Sequence, residues 1–181
     1  MSEDVQRIVA EHPFWQGIDP QVIPSLVASA QINRYGVGKV IFQERQEARN
    51  FYLLHKGHVA VETFVPGEGV SVLTVLHPGE ALGWSWLFPP YRWQFSARSV
   101  DATEVIVHSA DQLRKLAQEN PAFGKELVTR MAQVLLERLK ATREKLEELR
   151  VPECGAHIDE CLGEPEDADP YDVPTSFRPK T

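Results

Sequence analysis

From residue 36 to residue 108 the chain is cut into short apolar stretches by glycine turns, and this cadence limits its fold more than any other feature. Strands are predicted over 40–42, 51–54, 59–64, 70–76 and 103–108, with turns at Lys56-Gly57 and Pro66-Gly67 and a charged loop over 43–50. Strand 59–64 alternates, with Val59, Val61 and Phe64 as its anchors. Many short strands at spacings of about 8–12 residues argue for a β-sandwich or jelly roll.

Helices flank this region. Residues 3–11 are predicted helical up to His12-Pro13, and Phe14 and Trp15 form an apolar staple. Asp19 is placed to cap a helix over about 20–30 that begins at Pro20 and carries Val22, Ile23, Leu26 and Val27 as its stripe. A short helix over 111–118 ends at Asn120-Pro121, and a long one runs over 122–150 until Pro152. In that long helix Ala132, Leu139 and Leu146 share one heptad position, and Val128, Leu135, Thr142 and Leu149 share its partner. This narrow seam on a charged helix predicts self-pairing into a homodimer; the competing reading lays the helix on its own β domain.

Charge divides the chain in two. The net charge is −7, and residues 151–181 hold eight acids against Arg178 and Lys180, or −6, which leaves −1 for the first 150 residues. Neither part offers the basic footprint of a DNA-binding protein. The last segment has five prolines and few large apolar residues, so it is expected to be disordered or to dock on a protein partner. The expected organisation is thus a domain over 1–150 and an acidic tail over 151–181. No apolar run reaches membrane-spanning length and the start lacks a signal peptide, so a cytoplasmic location is expected.

Few groups suggest catalysis. Cys154, His157 and Cys161 are a weak candidate for a metal site, and a pair of free thiols is the preferred reading. The other histidines are scattered without a nucleophile and acid at a useful spacing, and no phosphate-binding loop or dinucleotide fingerprint occurs. No enzymatic activity, metal or cofactor is expected.

The most distinctive stretch is 78–100, which holds Trp84, Trp86, Trp93, Phe88, Tyr91 and Phe95. A short helical turn is predicted over 84–88, stopped by Pro89-Pro90. Its amide groups at Gly83, Trp84 and Ser85, with Arg92, Ser96 or Arg98, are candidates to hold an anion while Trp84 or Trp93 stacks on a ring. Packing of these aromatics as core or as a partner surface is the alternative.

The strand region resembles the cyclic-nucleotide-binding domain family, the effector domain of catabolite-activator-type regulators. The matching residues are Gly38-Lys39-Val40-Ile41-Phe42, Phe51-Tyr52-Leu53-Leu54, Lys56-Gly57-His58-Val59-Ala60-Val61, Val75-Leu76, Pro78-Gly79-Glu80 and Leu82-Gly83. The resemblance implies an eight-stranded jelly roll followed by a dimerising helix at 122–150. It also implies a phosphate-binding cassette whose Glu meets the ribose and whose Arg meets the cyclic phosphate. In this chain Trp84 stands at the Glu position, Trp93 at the Arg position and Ser96 at the following hydroxyl position. Arg92 is one residue from the lost phosphate partner, and Arg45 lies near a missing loop glycine. An indole cannot accept the ribose hydrogen bonds and fills the sugar's space, so tight binding of cAMP or cGMP is not expected. The family's winged-helix domain has no counterpart in 151–181, so direct DNA binding is not expected either. The expected function is a non-enzymatic regulatory or accessory protein acting through protein contacts. The alternatives are a sensor of a non-standard ligand in the altered cassette and an accessory subunit of a larger complex such as an oxidoreductase.

Overall fold

A computed structural model describes residues 3–149. Two antiparallel four-stranded sheets face each other. The first has the order β1 (Ala30–Tyr35), β8 (Thr103–Ser109), β3 (Asn50–Lys56), β6 (Ala81–Leu82). The second has the order β2 (Val40–Phe42), β7 (Ser96–Ser99), β4 (Val59–Val65), β5 (Gly69–Leu76). Helices α1 (Glu3–Glu11), α2 (Ile23–Ser29), α3 (Ala110–Glu119) and α4 (Pro121–Leu149) flank this jelly roll, with a 3-10 turn at Pro13–Trp15.

Strand β3 shows why the roll holds together. Phe51, Tyr52, Leu53 and Leu54 are all buried, although side chains on a strand alternate between faces. One face of β3 looks toward the helices: Phe51 packs edge-on to Phe14 (5.2 Å) and lies 5.2 Å from the Trp86 ring. The other looks toward the second sheet, where Tyr52 meets Phe42 (5.5 Å) and Trp93 (6.1 Å). A strand covered on both faces reads as an unbroken apolar run. Strand β5, at the edge of its sheet, instead leaves Val70, Val72, Leu73 and Val75 exposed. The β3–β4 turn needs Gly57, whose φ is +80° and where a Cβ would lie 2.6 Å from the Ala102 carbonyl oxygen.

Three local expectations are corrected. The helix expected over 20–30 begins at Ile23, because Asp19 accepts from the Gln21 amide (2.9 Å) within a separate turn, and it stops at Ser29. Residues from Ala30 pair with β8 instead, which satisfies six residues of backbone in a register from Ala30↔His108 to Tyr35↔Thr103. Strand β7 stands between β2 and β4 although its sequence, Ser-Ala-Arg-Ser, has one apolar residue. The segment 84–88 is a single β-turn closed by the Leu87 amide on the Trp84 carbonyl (3.0 Å), with no helix.

The chain divides into two compact units, one ending at Arg138 and one starting at Leu139. In the first, α4 turns Phe123, Leu127 and Met131 into the core, and the Arg130 guanidinium donates to the carbonyls of Phe14 (2.6 Å) and Gln16 (2.8 Å). In the second, Leu139 and Leu146 are exposed. The side chain of Leu149, the Cys154, His157 and Cys161 group and the segment 151–181 lie outside the described residues. Among the described residues no helix is long and apolar enough to cross a membrane.

Two buried histidines are held neutral, His12 by an accepting hydrogen bond and burial, His108 by burial. His12 Nδ1 accepts from the Phe14 amide (3.2 Å), so its proton sits on Nε2, facing the Leu54 carbonyl (3.2 Å). The Ser29 hydroxyl donates to the Leu26 carbonyl (2.8 Å), so His108 Nδ1, 3.0 Å away, must be the donor to that hydroxyl. Burial lowers the pKa of both, that of His108 to about 3. For His108 the unfolded chain therefore binds more protons than the folded one between pH 6.5 and about 3, and stability is lost as pH is lowered through that window. The slope is up to about 1.4 kcal/mol per pH unit for each such histidine. Urea unfolding at pH 4.5 and pH 7 should show this loss, and His108→Asn, which keeps a donor near Nδ1, should shrink it.

Candidate functional site

The segment from Leu82 to Ser96 closes one end of the roll. Gly83 follows β6 at φ +80°, where the ring of Trp93 comes so near that a Cβ would lie 2.4 Å from Cζ3. The absent side chain at 83 is what lets the indole in. Trp93 is 4% exposed and stacks on Phe42 at 3.9 Å with 14° between the planes. Trp86, fully buried, goes to the other side of β3 and packs on Phe51. Two indoles thus pin the segment, one between the sheets and one under the helices. Its outer end is pinned by backbone hydrogen bonds to the β2–β3 loop: Ala48 N to Tyr91 O (2.7 Å), Trp93 N to Gln46 O (2.9 Å) and Arg45 N to Trp93 O (2.8 Å).

What remains inside is a cavity of about 20 Å³, lined by Phe42, Gly83, Trp84, Ser85, Trp93 and Arg138 among others. That is room for about one water, whereas pockets for small organic ligands begin at roughly 300 Å³. Arg138 is the site residue that the heptad pattern hid. It continues the inward stripe of Phe123, Leu127 and Met131 at helical spacing and donates to the Ala81 carbonyl. Burial lowers its pKa, with Glu80 nearby acting in the opposite sense.

The candidate ligand residues are not all brought together. Gly83, Trp84, Ser85 and Trp93 line the inner cavity. Ser96 accepts from the Glu44 amide (3.0 Å) and so ties β7 to the β2–β3 loop. Arg98 bridges both carboxylate oxygens of the buried Glu62 through Nε (3.1 Å each) and donates to the Gly38 carbonyl (3.0 Å). Arg92 points away from the cavity. The backbones of Arg92 and Glu47 form a β-bridge, and the side chains of the adjacent Arg92 and Trp93 leave on opposite sides. With Trp93 inside, Arg92 is outside, where it donates to the Arg45 carbonyl (2.8 Å).

The family model described as "Cyclic nucleotide-binding domain" matches residues 32–120. These residues belong to the cyclic nucleotide-binding domain family. A CRP-like cAMP-activated global transcriptional regulator of Mycobacterium tuberculosis is 24% identical over 145 residues, or 80% of this chain. The chain spans 63% of that relative's length. The crystal structure of a protein from Geobacter metallireducens described as cyclic nucleotide-binding is similar at a TM-score of 0.66 and 26% identity, covering 77% of this chain and 99% of that one. The catabolite activator protein of Thermus thermophilus is similar at a TM-score of 0.61 and 25% identity, covering 76% of this chain and 62% of its own. The eight-stranded roll with a long C-terminal helix is therefore this family's fold.

Proposed function

We propose that this chain is a regulatory, non-enzymatic domain whose nucleotide pocket has been replaced by packed aromatic core and whose output passes through protein contacts. The observation that carries this reading is the position of Trp93, stacked on Phe42 beneath Gly83 with a 20 Å³ cavity beside it. The same residue that removes the guanidinium for a cyclic phosphate also occupies the volume the nucleotide needs. Expelling the indole to admit a ligand would cost its burial and stacking, of the order of 3 kcal/mol or more.

Self-association through α4 supplies the protein contact. The helix uses one face, Phe123, Leu127 and Met131, for its own roll. Val128, Leu139 and Leu146 lie on a second face, about 100° round the helix, and are 52%, 67% and 60% exposed. Ala132 and Thr142 on that face are exposed as well, and Leu135 is half-buried. An apolar stripe that no described residue of its own chain covers supports pairing with a second copy. The acidic segment 151–181 is the part we assign to a protein partner, on its charge of −6.

Two measurements test the reading. Calorimetry with cAMP and with cGMP should give no saturable heat, and a submicromolar Kd for either would overturn the filled-pocket proposal. Light scattering should give a dimer that Leu139→Glu with Leu146→Glu converts to monomer. A double variant that stays dimeric at low micromolar concentration would sink the seam.

A further inference from the structure

A roomier space lies on the outer side of this segment. A cleft of about 450 Å³ is walled by Glu47, Ala48 and Arg49 of the β2–β3 loop, by Pro90, Tyr91 and Arg92, and by Asp111 and Arg114 of α3. That volume falls in the range of small-ligand sites. We propose that this cleft binds a small aromatic oxyanion, a carboxylate or a phosphate, held by Arg92 and Arg114 with its ring against Tyr91. This site is separate from the inner cavity and does not depend on what that cavity binds.

Three guanidinium groups from three different elements face the cleft, against two carboxylates. Arg49 is paired with Glu47 through Nε (2.6 Å). Arg114 is paired with Asp111 (2.5 Å) and donates to the Trp86 carbonyl (2.5 Å). Arg92 has a backbone carbonyl, that of Arg45, as its hydrogen-bond partner and no carboxylate partner among the described residues. Three cations and two anions leave one positive charge, and Arg92 is the group that carries it. A guanidinium offers five N–H donors in a fork that fits a carboxylate or phosphate edge. Among the described residues most of that fork on Arg92 has no intramolecular acceptor.

Tyr91 supplies the apolar side of the site. Its ring holds the Arg114 guanidinium at 4.7 Å and is 40% exposed. Its φ of +54° is a conformation that costs a bulky residue energy. The backbone bonds of Ala48 N to Tyr91 O and Trp93 N to Gln46 O hold it there. The walls are thus built before a ligand arrives, which lowers the ordering cost of binding. Arg114 also connects the cleft to the buried layer, because the carbonyl it holds belongs to Trp86, whose indole lies against β3.

The test is an NMR titration of the full chain with benzoate and with phenyl phosphate at constant ionic strength, with benzyl alcohol as the neutral analogue. Saturable shifts confined to residues 47–49, 90–92 and 111–114 are expected from at least one anion, and which anion saturates names the preferred oxyanion. Arg92→Gln should raise the Kd about ten-fold or more, while Arg34→Gln, at an exposed ion pair on β1, should leave it unchanged. Linear, unsaturated shifts from both anions would overturn the proposal. So would equal Kd values for Arg92→Gln and the wild type, or shifts from benzyl alcohol that match those of the anions.

Discussion

The contact between Trp93 and Phe42 under Gly83 decides what this domain can be. The indole occupies the space between the two sheets, packed against Phe42 and Tyr52 beneath Gly83. A ligand pocket needs buried polar groups left free for a guest. Here several polar groups of the segment are already engaged with the protein: Ser96 with Glu44, Arg98 with Glu62 and Gly38, and the backbone of 91–93 with the β2–β3 loop.

The second indole explains the position of the rest. Trp86 lies across β3 from Trp93, in the layer formed with Phe14, Trp15, Phe51 and His108. Aromatic packing in that layer forces the neighbouring histidine to stay neutral, and the Ser29 hydroxyl fixes which nitrogen keeps the proton. Helix α4 completes the layer through Phe123, 6.3 Å from Trp15. One face of the helix is consumed there, and Val128, Leu139 and Leu146 are exposed among the described residues.

The sequence carried the β architecture plainly where strands alternate or run apolar between glycine turns, as in β3, β4 and β8. It concealed β7, whose residues are mostly polar because they serve hydrogen bonds and an ion pair. It also concealed β1, where Ala30 looked like the end of a helix. The concentration of aromatic residues over 78–100 was legible in the sequence. The direction of each side chain was not, since it follows from the pairing of 91–93 with a loop far away in sequence. That pairing sends Trp93 inward and Arg92 outward, and so separates residues that adjacency alone would have grouped. Arg138 was hidden for a similar reason: a seven-residue repeat drew the eye to one helix face while a second face met the roll.

The central claim is that the indole of Trp93 fills the cassette in the resting protein. Nuclear Overhauser contacts from a selectively labelled Trp93 ring test it directly. The account predicts strong cross-peaks from the ring to the Gly83 α-protons and to the Phe42 ring, with the indole shielded from water. A Trp93 ring that shows neither contact and is open to solvent would contradict it.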